Sequence, residues 1–191
     1  MSSKVEIVNQ ALLMLGALPI ISFDDESVEA AACKTLYPTA KKQTLRSYPW
    51  RCATKSASLA QLVDEPIQPE WKFLYALPDN CLRVISVFNE ADLYINEVAW
   101  EVQGKRLLTR SDNIAITYIV DLTEQQLDVH VEMALVARVA VDLSYTLTAS
   151  SGREAALYQQ YQEKLNEARV TDRQEASHAN IRIDTLDRVR R

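Results

Sequence analysis

The chain has 191 residues, 21 Lys plus Arg against 26 Asp plus Glu, and 48% hydrophobic content, enough apolar material for one core or for two small lobes sharing one. Wholesale disorder is excluded, and Gly16, Gly104 and Gly152 lie too far apart to form a glycine-rich phosphate loop. Two histidines, His130 and His178, leave almost nothing for a metal site or a Ser-His-Asp relay, and Cys33, Cys52 and Cys81, without a C-x-x-C pair, read as reduced packing residues of an intracellular product.

Val5, Val8, Leu12 and Leu15 recur at helical spacing, Ile7, Ala11 and Met14 widen the stripe, and Gly16 stands where a helix closes on a left-handed residue. The apolar run 11–21 is like a signal-peptide core. Glu6, Asn9 and Gln10 precede it, however, and no small-residue cleavage site follows, so secretion is not expected. Asp24-Asp25-Glu26 suits a helix N-terminus electrostatically and has no fixed-spacing partner that would make it a metal site. A second helix is expected over 27–46, kinked or broken at Pro38, whose ring removes the bond to the Lys34 carbonyl. Tyr48-Pro49-Trp50 ends it, and 51–62 reads as a connecting strand or short helix.

From Trp71 the period approaches two, predicting strands over 73–77, 82–88, 93–95, 98–102, 106–109 and 114–120. Gln103-Gly104-Lys105 supplies a hairpin, and Pro78-Asp79-Asn80 and Ser111-Asp112-Asn113 supply turns. The third helix has two alternative starts, a Thr123-x-x-Gln126 capping box and an Asp128 N-cap. Over 128–146 its charges Asp128, Glu132, Arg138 and Asp142 fall on an arc of about 120°, with apolar residues over most of the remainder, so this helix is expected to be central. Arg138 and Asp142 also interrupt the longest apolar stretch, and no membrane span is expected.

A Ser151-x-x-Glu154 capping box opens the last helix, whose buried stripe is Leu157, Tyr161, Leu165 and Ala168. From Gln174 the pattern fades, and the tail is expected to order only on a partner. The sum is an α+β fold: a mainly helical bundle of about four helices from 1–62 and 123–175, an inserted small antiparallel β lobe at 71–120, and a C-terminal tail at 176–191.

Charge is segregated along this chain. Between Glu29 and Asp64 stand Lys34, Lys41, Lys42, Arg46, Arg51 and Lys55 without one carboxylate, so the other 15 basic residues face 26 acidic ones. On an ideal helix Lys34, Lys41, Lys42 and Arg46 share an arc of about 140°. Such a face fits DNA phosphates, with Tyr37, Tyr48 and Trp50 stacking on bases, or an acidic neighbouring subunit. The alternative for the aromatics is packing, with Tyr48-Pro49-Trp50 as the joint between bundle and lobe. Replacing Lys41 and Lys42 by Glu is expected on this reading to leave the fold intact. No catalytic, cofactor-binding or metal-ligating set is assigned, and no enzyme activity is expected.

Asn9-Gln10-Ala11-Leu12-Leu13-Met14-Leu15-Gly16-Ala17, Ser22-Phe23-Asp24-Asp25, Ala31-Ala32-Cys33-x-x-x-Tyr37 and Leu45-Arg46-x-Tyr48-Pro49-Trp50-x-x-Ala53-x-Lys55 resemble the tail tubular protein A family of phage head-to-tail adaptors. Tyr75-Ala76-Leu77-Pro78-x-x-Cys81-Leu82-Arg83-Val84 and Ile116-x-Tyr118-Ile119 resemble its β insertion, and the likeness spans roughly residues 5–175. The resemblance implies a virion structural protein of the tail that assembles as a dodecameric ring below the portal, extends the viral DNA channel and docks the distal tail or nozzle protein. It also implies that the C-terminal segment reaches the portal, a role that would fall on Arg182, Arg188, Arg190 and Arg191. The alternative function is a small non-catalytic nucleic-acid-binding accessory protein.

Overall fold

In the computed structural model, which describes residues 2–64, 66–89 and 98–175, the first helix is α1 (Lys4–Leu15). Its start is a reciprocal capping box: Ser3 Oγ accepts from the Glu6 N–H at 3.2 Å, and Glu6 Oε2 accepts from the Ser3 N–H at 2.6 Å. Gly16 ends it at φ 68°, in the left-handed region where a Cβ is costly. The loop that follows is fastened by Asn9, whose amide accepts from the Ile20 N–H at 2.8 Å and donates to the Ile20 carbonyl at 2.9 Å.

These two bonds satisfy both backbone groups of a buried loop residue. Asn9→Ala is therefore expected to cost about 1–3 kcal/mol in urea unfolding, with loosening of residues 17–22 in hydrogen exchange. An unchanged midpoint would show that the loop holds itself.

α2 (Val28–Arg46) is capped by Ser27, whose Oγ accepts from the Ala30 N–H. The acidic run before it is used otherwise than the sequence suggests: Asp25 Oδ2 accepts from the N–H groups of Ile21 and Ser22, and Asp24 pairs with Lys34. The helix continues through Pro38 without a break. Pro38 and Lys34 are both on the exposed side, where a carbonyl that loses its helical partner is open to water.

After a 3₁₀ turn at Arg51–Ala53, six strands follow among the described residues: β1 (Thr54–Ser58), β2 (Phe73–Ala76), β3 (Cys81–Asn89), β4 (Trp100–Gln103), β5 (Arg106–Thr109) and β6 (Ile114–Val120). They form two antiparallel three-stranded sheets, ordered β1-β6-β3 and β2-β5-β4. The 3₁₀ turn and β1 fall in the stretch read from sequence as a connecting strand or short helix, and β1 pairs with β6 over its whole length. The hairpin between β4 and β5 is a two-residue loop with Gly104 at φ 62°, as such tight turns favour. The strand expected over 93–95 falls outside the described residues.

α3 (Val129–Thr148) starts at Asp128, which accepts from the His130 N–H, while the Thr123–Gln126 pair caps a short 3₁₀ turn just before it. Ten of its twenty residues are buried, and it packs against α1, α2 and α4, so it is the axis of the bundle. α4 (Ser151–Gln174) is capped by Ser150, one residue earlier than the expected box, and buries Leu157, Tyr161, Leu165 and Ala168 as the spacing predicts.

Two distant contacts orient the helices. Arg153 at the start of α4 donates to the Met14 carbonyl at the end of α1, and Asp172 near the end of α4 accepts from the Arg51 N–H just past α2. The helices thus alternate up and down, and the β lobe is inserted at the end where α2 finishes and α3 begins. One connected apolar cluster runs from Ile7 in α1 through Ile116 and Ile119 in β6 to Ala168 in α4, so bundle and lobe share a core.

Candidate interaction surface

The six basic residues between Glu29 and Asp64 do not form one free face. Lys34 pairs with Asp24 at 2.7 Å on the open surface, where such a pair adds little stability. Arg46 donates to the Leu82 carbonyl and so ties the end of α2 to β3. Arg51 donates through its guanidinium to the Glu175 carbonyl at 3.0 Å, closing the C-terminus of α4. Lys42 and Lys55 are exposed and have no ion pair among the described residues.

Lys41 departs furthest from the sequence reading. Its side chain is only 13% exposed and its Nζ stands 3.1 Å from Glu124 Oε1 and 3.3 Å from Asp121 Oδ1. Tyr37 donates its hydroxyl to the same Glu124 oxygen at 3.1 Å. Asp121 Oδ1 has no well-directed hydrogen bond, so its attraction to Lys41 is electrostatic. This lysine joins α2 to the chain returning from the lobe and cannot serve as a free positive contact.

Burial alone would raise the Glu124 pKa, but its own backbone N–H, the Lys41 ammonium and the Tyr37 hydroxyl outweigh it and hold the carboxyl below its ordinary 4.5. Burial and then the Glu124 charge push the Tyr37 hydroxyl the other way, well above its ordinary value. A depressed carboxyl contributes stability that is fully present above its unfolded pKa and lost as pH falls through the lower, folded value. The stability difference between the native chain and Glu124→Gln is therefore expected to be constant from neutral pH to about 5 and to shrink below 4.5. Urea midpoints taken at several pH values measure it, and a difference that persists at pH 3 would contradict the assignment.

The aromatics are committed to packing. Trp50 is fully buried, its Nε1–H donates to the Thr44 carbonyl at 2.9 Å, and its ring lies 4.8 Å from that of Tyr48. Tyr48 in turn receives the guanidiniums of Arg169 and Arg173 at 5.9 and 5.8 Å. Tyr37 is buried beside Phe23. None of the three offers a face on which a base could stack. Cys33 is a packing residue as expected, its thiol pushed up to about 11 by burial.

Hollows flank this region, and two of them bear on its charge. One of about 480 Å³ places Lys4, Lys41 and Lys42 against Asp79, Asp121 and Glu124, a balance of charge that does not favour phosphate. The other, of about 390 Å³, lies where the end of α2 meets β3 and β4, one edge strand from each sheet. It carries Arg46 and Arg83 with Leu77, Leu82, Trp100 and Val102, and among the described residues no carboxylate lines it.

Neither arginine has a carboxylate partner among the described residues. Arg83 was not singled out from the sequence. Its signal is a lone charge in the apolar run Cys81-Leu82-Arg83-Val84. Arg182, Arg188, Arg190 and Arg191, assigned from the sequence to portal docking, lie outside the described residues.

No protein-family model and no curated protein matches this chain. Among the described residues no helix is long and apolar enough to cross a membrane.

Proposed function

We propose that this chain is a head-to-tail adaptor of a tailed phage, one subunit of a dodecameric ring that docks below the portal, prolongs the DNA channel and receives the distal tail. The observation that carries this reading is where the family-like residues fall. Asn9 clamps the α1–α2 loop, Trp50 seals the exit of α2, and the Pro78 carbonyl accepts from the Cys81 N–H at 2.9 Å at the start of β3. Motifs that separately specify little thus hold successive joints of one bundle-and-lobe subunit. A core shared by bundle and lobe also suits a ring wall, whose subunits must keep their shape while contacts repeat around an axis.

Lys42 and Lys55 remain exposed and, multiplied around a ring, supply positive charge for channel DNA or for an acidic portal surface. The tail arginines belong to the portal side of this proposal. The decisive experiment is to co-express the protein with the portal protein of the genome that encodes it and image the product. An axial ring stacked on the portal is expected. A dispersed, salt-sensitive DNA complex without a ring would favour the nucleic-acid-binding accessory protein instead.

A further inference from the structure

The end of the bundle far from the β lobe presents a fastened apolar loop. Ile21 is 92% exposed and Leu18 76%, yet the backbone carrying them is held on both sides by Asn9 and Asp25. Asp24, Asp25 and Glu26 follow at once, and Lys34 neutralises one of the three. A pre-ordered loop with apolar tips and acidic flanks loses little conformational entropy when it binds, which favours association.

The opposite chemistry occurs on the same chain. The hollow between β3 and β4 has an apolar floor of Leu77, Leu82, Trp100 and Val102 and two arginines, Arg46 and Arg83, without carboxylate partners among the described residues. Loop and hollow cannot meet within one molecule. They stand at opposite ends of α2, whose nineteen residues alone separate them by about 28 Å at 1.5 Å per residue.

We infer that the 17–26 loop of one copy seats in the Arg46–Arg83 hollow of a second copy, with Leu18 and Ile21 on its apolar floor and the acidic run facing the two arginines. The contact is heterologous, head to tail, the kind that closes into a ring when the rotation between copies allows. It deepens the ring proposal by naming the surfaces that join neighbouring subunits, and it rests on that reading only for ring closure.

Cys81 lines the hollow and is free. The full chain carrying Ile21→Cys, gently oxidised at high concentration with and without the portal, should give a disulfide-linked ladder on non-reducing gels. Adding Cys81→Ser should abolish that ladder, which separates it from any background due to Cys33 or Cys52. In parallel, Ile21→Asp and Arg83→Glu should each weaken self-association in sedimentation at least tenfold, and Glu26→Arg should restore part of what Arg83→Glu loses.

A ladder that survives Cys81→Ser, or none at all, overturns the inference. If rings still form on the portal while every one of these variants behaves as the native chain, the named interface fails and the adaptor reading stands. If the Cys81-dependent ladder forms without rings, the interface stands and the adaptor reading fails.

Discussion

Lys41→Glu is expected to destabilise the fold by more than about 3 kcal/mol, whereas Lys42→Glu next to it should stay within about 0.5 kcal/mol of the native chain. The difference follows from position. Lys42 projects into water, but the Lys41 ammonium is lodged between Asp121 and Glu124, whose side chains are 33% and 9% exposed. Removing the cation leaves a buried carboxylate uncompensated, and replacing it with Glu sets a third negative charge against two. For a protein with ordinary stability of about 5–15 kcal/mol, that is a large share of the total.

Urea unfolding of the two single variants measures the effect, and Lys41→Met paired with Glu124→Gln should recover part of the loss, because it removes charge from both sides. Equal midpoints for Lys41→Glu and Lys42→Glu would mean that Lys41 is not seated between the carboxylates. The Lys41, Lys42 double reversal, expected from the sequence to spare the fold, is on this placement of Lys41 expected to disrupt it. In any assembly assay Lys41→Glu reports misfolding, and Lys42→Glu with Lys55→Glu is the pair that probes contact with DNA or portal.

Local pattern carried much of this fold. The stripe Leu157, Tyr161, Leu165, Ala168 is buried as its spacing implies, Asp128 caps α3, and Gly16 and Gly104 take up positive φ where a helix end and a tight hairpin require it. What escaped was non-local. The partner that fixes Tyr37 is Glu124, 87 positions away, and no helical wheel shows which part of a basic arc will meet a returning acidic segment.

β1, with the sequence Thr-Lys-Ser-Ala-Ser, lacks apolar alternation because it is an edge strand held by β6 on one side. Ser150 and Ser151 are equivalent to a pattern search, and the backbone alone decides which one caps α4. The candidate site was legible only in part. Arg46 was singled out, while its neighbour Arg83 becomes interesting only once β3 and the end of α2 are brought side by side.

The joint between bundle and lobe turns on one side chain, and Trp50→Ala is expected to cost about 3–5 kcal/mol. The indole is fully buried, so truncation leaves a large cavity under the exit of α2. Trp50→Phe separates ring volume from the hydrogen bond. Thr44's carbonyl, which accepts from the indole N–H, also accepts from Ser47 Oγ at 2.8 Å and the Ser47 N–H at 3.3 Å, so it is not orphaned when the indole donor goes. The phenylalanine variant should therefore lose only about 1 kcal/mol.

The damage from alanine should also spread in a specific direction. Trp50 supports Tyr48, Tyr48 receives Arg169 and Arg173 of α4, and Arg51 holds Asp172 and the Glu175 carbonyl. Hydrogen exchange should thus accelerate at 51–53 and 169–175 in Trp50→Ala, ahead of the centre of α3. If Trp50→Phe proved as costly as alanine, the N–H bond and not the buried ring would be what sets the lobe on the bundle. If both variants left 169–175 unchanged, the end of α4 would be held by Arg51 alone.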